Sequence, residues 1–173
     1  MHNNEQIKII IFDWGNTLMV DFPQYQGAMF YWLQIKLMPN VLETLKLLYK
    51  KAPLCVATNA GDSNTELMIK ALERGGIKHF FDYFFSSNDA GYSKPDPRFF
   101  TALTNFVNVA PNNCLMIGND YEKDIVGAAN VGMKTLFYNY LKIDGNFSAA
   151  TEIFYDFIEL PNMKSLKSVI GYS

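Results

Sequence analysis

The sequence predicts an α/β fold built on a doubly wound parallel sheet, and three observations carry that expectation. Short apolar runs rich in β-branched residues alternate with helical patterns along the chain, the order that lays crossover helices on both faces of a parallel sheet. The first run, Ile9–Phe12, is apolar at every position, as suits a strand buried on both faces. It stops at an acid, Asp13, and the Gly15, Asn16 and Thr17 that follow suit a turn. A carboxylate at the carboxyl end of a central strand stands where open α/β sheets place their ligands.

The other elements follow in order. An aromatic stretch, 21–37, holds Tyr25, Phe30, Tyr31 and Trp32. Pro39 then opens a helix to about 51, with Leu42, Leu45, Leu47 and Leu48 marking its apolar side. A second strand over 54–57 ends in Thr58 and Asn59, and a helix over 63–74 is stopped by Gly75 and Gly76. A third strand region, 80–87, leads through Gly91 to Lys94, Pro95, Asp96 and Pro97. Those prolines suit the first turn of a helix reaching about 106. The fourth strand, 114–117, breaks at Gly118, Asn119 and Asp120 before a helix over 122–130, and Lys134–Tyr138 reads as a fifth strand. The stretch 153–160 has no clear period and precedes a last short helix.

Composition bounds the function. With 173 residues, 49% of them hydrophobic, the chain suits one domain with a sizeable core. A net charge of −2 argues against a nucleic-acid binder that works through a basic surface. Cys55 and Cys114 lie in or beside apolar runs and read as reduced core thiols, which suits a cytoplasmic protein. The first apolar stretch is too short for a signal peptide, and no run has the length of a membrane span.

Four polar clusters fall at the same kind of place, beyond the carboxyl end of a strand. They are Asp13, then Thr58 with Asn59, then Lys94, then Asn119 and Asp120 with Asp124. In a parallel sheet those ends open on one edge, so the groups can converge. The set holds a carboxylate nucleophile, a hydroxyl, a cation and further carboxylates suited to a hard metal. Transfer of a phosphoryl group to an aspartate requires such a set. Each cluster alone has a plainer use: Thr58 as a cap, Lys94 as a solvated charge, Asp120 and Asp124 as partners of a helix dipole. Their joint order favours the chemical reading.

The chain resembles the haloacid dehalogenase superfamily of hydrolases, subfamily I-like, over most of its length. Residues 13–17, Asp-Trp-Gly-Asn-Thr, are similar to its first motif, and Thr58 to its second. Lys94-Pro95-Asp96-Pro97 with Phe99 and Phe100 is similar to its third, and 118–124 with Gly127, Ala128 and Gly132 to its fourth. The resemblance implies a Rossmann-like sheet, an aspartyl intermediate on Asp13 and Mg²⁺. It also implies catalytic roles for Asp13, Thr58 and Lys94, with Trp14 and Asn59 beside the phosphate. The metal set it implies is Asp13, the Gly15 carbonyl, Asn119, Asp120 and Asp124.

The chain departs from that family in three places. Gly15 stands where the family's phosphatases carry a second aspartate, the group that protonates the leaving group and then activates water. Asn119 stands where many members have an aspartate, which leaves a weaker Mg²⁺ site with either Asn119 or Asp120 as direct ligand. Only about twenty residues separate Thr17 from Pro39, so the cap at about 20–38 is minimal and the domain near-capless. The expectation is a metal-dependent phosphatase of a phosphorylated substrate, slowed by Gly15. The alternative is a phosphate-binding or interaction protein of the same fold. The stretch 21–37 is expected to cover the site or to join two subunits.

Overall fold

The computed structural model describes residues 6–171. Six strands form one wholly parallel sheet: β1 (Ile9–Phe12), β2 (Leu54–Thr58), β3 (Tyr83–Ser86), β4 (Cys114–Gly118), β5 (Lys134–Tyr138) and β6 (Glu152–Phe154). Their spatial order is β3-β2-β1-β4-β5-β6. The chain therefore builds outward from β1 in one direction and then returns to build outward through β4 in the other. The reversal leaves a crevice beyond the ends of β1 and β4. Asp13 follows the first of these strands and Asn119 the second.

Both faces of the sheet are covered, and strand alternation divides the core between them. Ile10 and Phe12 point to the face packed by α1 (Val41–Leu48), α2 (Thr65–Arg74) and the C-terminal α6 (Lys164–Ile170). Ile9, Ile11, Cys55 and Met116 point to the other, where α4 (Pro97–Val107) lays down Phe99, Phe100, Leu103 and Val107. A four-residue helix, α3 (Ser87–Ala90), directly follows β3. The two thiols are free and buried. Burial pushes the Cys114 thiol up to about 11 and that of Cys55 higher still, with Cys114 adding to the latter.

Two stretches differ from the sequence-based expectation. The helix expected over 122–130 is a π-helical turn, Tyr121–Val126, running into a single α-turn, α5 (Gly127–Ala129). Wide turns of this kind concentrate at functional sites. The stretch around 153–160 contains the sixth strand, β6, and a 3₁₀ helix, Phe157–Asn162, so its lack of one period reflects two short elements. The slot between β1 and α1 holds no cap helix among the described residues, only a 3₁₀ turn at Met29–Tyr31.

That slot is nonetheless tied to the body. Trp32 is buried, stacks on Tyr25 with ring centroids 5.4 Å apart, and donates its indole N–H to the carbonyls of Gln26 and Gly27. Arg74, at the end of α2, donates to the carbonyls of Phe30 and Trp32. Tyr31 and Leu33, 71% and 89% exposed, face outward.

Candidate active site

Asp13 is held by its backbone before its side chain does anything. Its N–H donates to the Ile117 carbonyl at 2.9 Å, extending the β1–β4 ladder one residue and fixing the carboxylate at the switch point. The next turn winds tightly on the Trp14 carbonyl, which accepts from the N–H groups of Thr17, Leu18 and Met19. The Thr17 hydroxyl, fully buried, donates to Asp13 Oδ2 at 3.0 Å. Asp13 itself remains 8% exposed, at the floor of a cavity of about 680 Å³.

Lys94 enters from the loop before α4. Its ammonium donates to Asp13 Oδ1 at 2.7 Å, to Asp124 Oδ1 at 2.7 Å and to the Ala57 carbonyl at 3.1 Å. An ammonium has three N–H groups, and all three are used. Burial alone would lower the Lys94 pKa, but the Asp124 and Asp13 carboxylates outweigh it and hold the ammonium above its ordinary value. Burial, together with the Asp13 charge, pushes the Asp124 carboxyl up to about 7, and Lys94 opposes the shift. Asp124 spends its other oxygen on the Asp120 N–H at 3.0 Å. Both of its oxygens are engaged, so it acts first as the clamp of Lys94. Gly118 is required by this packing, since a Cβ there would overlap the Asp124 carboxylate.

Two asparagines complete the frame. Asn59, after β2, accepts from the Lys94 N–H at 2.7 Å and donates to the Lys94 carbonyl at 3.0 Å. Its amide thus pins the backbone of the lysine loop instead of pointing free into the cavity. Asn119, after β4, places one amide atom 3.1 Å from the Gly15 carbonyl, 3.0 Å from Thr17 Oγ1 and 3.3 Å from Asp13 Oδ2. The Thr17 hydroxyl has a single hydrogen and gives it to Asp13, so it accepts from the NH₂ of Asn119.

The remaining expected residues line the same cavity in different ways. Thr58 sits buried at the end of β2, with its hydroxyl 3.2 Å from the Asn59 carbonyl. Trp14 contributes to the wall, but its indole is buried and donates to Met19 Sδ at 3.2 Å. Asp120 caps the π-helical turn through the Lys123 N–H and pairs with the Lys123 ammonium at 3.0 Å. Burial opposes ionisation of Asp120, yet those Lys123 contacts hold its pKa below the ordinary range. It is Asn119, not Asp120, that the fold brings against Asp13 and Gly15. The 21–37 stretch supplies Asp21, Tyr25 and Trp32 to the rim. Thr17 is the last residue of the first motif, whereas Asp21 lies outside every motif and is a lining residue that motif matching does not single out.

The geometry admits a magnesium ion. Among the described residues no group of three His, Cys, Asp or Glu side chains forms a metal site, but Mg²⁺ also takes carbonyl and amide oxygens. In an octahedron with ligands about 2.0–2.1 Å from the ion, neighbouring oxygens lie about 3 Å apart. The Asn119 amide stands at such separations from both Asp13 Oδ2 and the Gly15 carbonyl. Turning that amide by half a rotation would present its oxygen.

A family model described as haloacid dehalogenase-like hydrolase matches residues 18–132, about two thirds of the chain. A glyceraldehyde 3-phosphate phosphatase of Methanothermobacter thermautotrophicus is 38% identical over 68 residues, 39% of this chain and 30% of that protein. A ribulose-1,5-bisphosphate 5-phosphatase of Halopiger xanaduensis is 29% identical over 110 residues, 63% of this chain and 45% of that protein. The chain thus spans less than half the length of these relatives. Among solved structures, an uncharacterized protein from Listeria monocytogenes serotype 4b superposes with a TM-score of 0.76 at 24% identity, covering 96% of this chain and 100% of that one.

Proposed function

The chain belongs to the haloacid dehalogenase-like hydrolases, and from that premise we propose that it hydrolyses phosphoric monoesters through an aspartyl-phosphate on Asp13. The observation that carries this reading is the buried Lys94 bridge between Asp13 and Asp124 at the floor of an open cavity. Lys94 pairs with Asp13 and would offset the negative charge of an incoming phosphate. Thr17 holds the Asp13 carboxylate from behind. That leaves Asp13 to attack phosphorus in line with the departing oxygen. Thr58 offers its hydroxyl to a phosphate oxygen, and Asn59 keeps the Lys94 loop in place.

Asp13, the Gly15 carbonyl and Asn119 would hold the magnesium ion, with Asp120 and Asp124 acting from behind through the turn and Lys94. Bound there, Mg²⁺ would supply further charge neutralisation at the phosphate oxygens. With only one carboxylate in direct contact, affinity should be modest.

The relatives support a substrate class. Their names give phosphate esters of short sugars, glyceraldehyde 3-phosphate and ribulose-1,5-bisphosphate among them, and the open cavity has room for such molecules. No helix of the described residues is long and apolar enough to cross a membrane; a cytoplasmic location and self-association through 21–37, using the exposed Tyr31 and Leu33, complete the reading. A panel of phosphorylated metabolites assayed with Mg²⁺ tests it, with Asp13→Asn as the control. Asp13→Asn should abolish turnover and beryllium fluoride trapping while its melting temperature stays within a few degrees, because Lys94 keeps Asp124 and the Ala57 carbonyl. Wild-type turnover by that variant refutes the aspartyl mechanism.

A further inference from the structure

Asp21 stands where Gly15 leaves a gap. A Cβ on Gly15 would have as its three nearest neighbours Asp21 Cβ at 3.6 Å, Oδ2 at 3.7 Å and Cγ at 3.8 Å. All three are ordinary van der Waals separations, and the Gly15 backbone lies outside the left-handed region. The juxtaposition is built by the turn itself. Gly15 and Met19 form a bridge, and Asn16 Oδ1 accepts from the Asp21 N–H at 2.9 Å, folding residue 21 back over residue 15.

The carboxylate of Asp21 is available. It is exposed, lines the same cavity as Asp13, Thr58 and Lys94, and makes no hydrogen bond or ion pair with any described residue. Of the other acids that line the cavity, Asp13 and Asp124 are committed to Lys94 and Asp120 to Lys123, while Asp62 belongs to the loop after β2 and contributes none of the atoms nearest the Gly15 gap.

We propose that Asp21 performs the proton transfers that position 15 cannot. The proposal rests on the aspartyl-phosphate reading above and adds a catalytic residue to it. In the first half-reaction an Asp13 oxygen bonds to phosphorus and the ester P–O bond breaks. The carboxylic acid of Asp21 gives its proton to the departing oxygen, which leaves as an alcohol. In the second, the Asp21 carboxylate takes a proton from water as the water oxygen attacks phosphorus. The P–O bond to Asp13 breaks, inorganic phosphate leaves, and both aspartates return to their starting forms.

Single-turnover phosphorylation by an alkyl phosphate and by p-nitrophenyl phosphate provides the test, comparing wild type, Asp21→Asn and the double variant Asp21→Asn/Gly15→Asp. Asparagine keeps the backbone bond to Asn16, and circular dichroism checks that the fold is retained. Asp21→Asn should lose about 10²–10⁴-fold on the alkyl ester, the usual worth of general acid–base help, and much less on the aryl ester, whose leaving group needs little protonation. Hydrolysis of the preformed aspartyl-phosphate should slow as well. Gly15→Asp in that background should recover the alkyl ester, since the atoms nearest an added Cβ are those of residue 21, all at ordinary van der Waals separations. An unchanged dependence on the leaving group in Asp21→Asn overturns the role of Asp21 and leaves the Asp13 mechanism standing. Wild-type turnover by Asp13→Asn overturns the underlying mechanism, and the assignment of Asp21 with it.

Discussion

Asn119 is the residue that most alters the charge of the site. An aspartate there would add a second carboxylate beside Asp13, and its absence leaves an amide that hydrogen-bonds the Gly15 carbonyl and Thr17. Asn119→Asp should tighten Mg²⁺ binding by about 10–100-fold, the equivalent of the roughly 1.5–3 kcal/mol that a charged interaction supplies. Calorimetric titration of the metal, without substrate, measures it. The metal-free variant should be less stable than wild type, because two carboxylates then face each other without a cation between them. Equal Mg²⁺ affinity in the two proteins would place the ion elsewhere.

At the scale of elements, the short helix α6 borrows its cap from another part of the fold. The N-cap of α6, Met163, has no side chain to offer. Glu152 on β6 takes over, accepting from the Lys164 N–H at 2.9 Å and from the Ser165 N–H and hydroxyl at 2.8 and 2.6 Å. Partial burial raises the Glu152 pKa, but the Ser165 and Lys164 bonds outweigh it and hold it below 4.5. A depressed carboxyl stabilises the fold above its unfolded value, and that contribution is lost as pH falls through the folded one. Glu152→Ala should therefore cost about 1 kcal/mol at neutral pH, as for loss of a helix cap. The difference should shrink in melts carried below pH 4.5. A gap that is constant from neutral to acid pH would show that the charge of Glu152 plays no part.

At the scale of the molecule, the segment between β1 and α1 forms one side of the cavity. Residues 21–37 wall the cavity with Tyr25 and Trp32 while Arg74 fastens the segment to α2. Removing that fastening should loosen the wall without touching the chemistry. Arg74→Ala should raise KM a few-fold, leave kcat close to wild type and speed amide exchange around 30–33. The lost bonds are worth about 1 kcal/mol each, too little to unfold a body whose core lies mainly on the two faces of the sheet. A fall in kcat with KM unchanged would mean that the segment serves the reaction itself.

The architecture was legible in the sequence wherever local pattern reports burial. The four apolar residues of β1, the glycines that stop helices and the polar residues at strand ends all have meaning within a few positions, so the alternation of strand and helix and the cluster Asp13, Thr58, Lys94 and Asp124 could be read directly. The sixth strand could not, because three residues are too few to display a period. Nor could the choice between Asn119 and Asp120, which depends on a π-helical turn whose extra residue per winding sends Asp120 to Lys123 and leaves Asn119 facing Asp13. Asp21 is the clearest case. Nothing in its neighbours along the chain marks it, and only the turn that closes Gly15 on Met19 sets it against the empty place beside the nucleophile. Periodicity and strand-end position are properties of a line of residues and survive in sequence. Which side chain fills a given space is settled by how that line turns, and the turn is held by hydrogen bonds that form only in the folded protein.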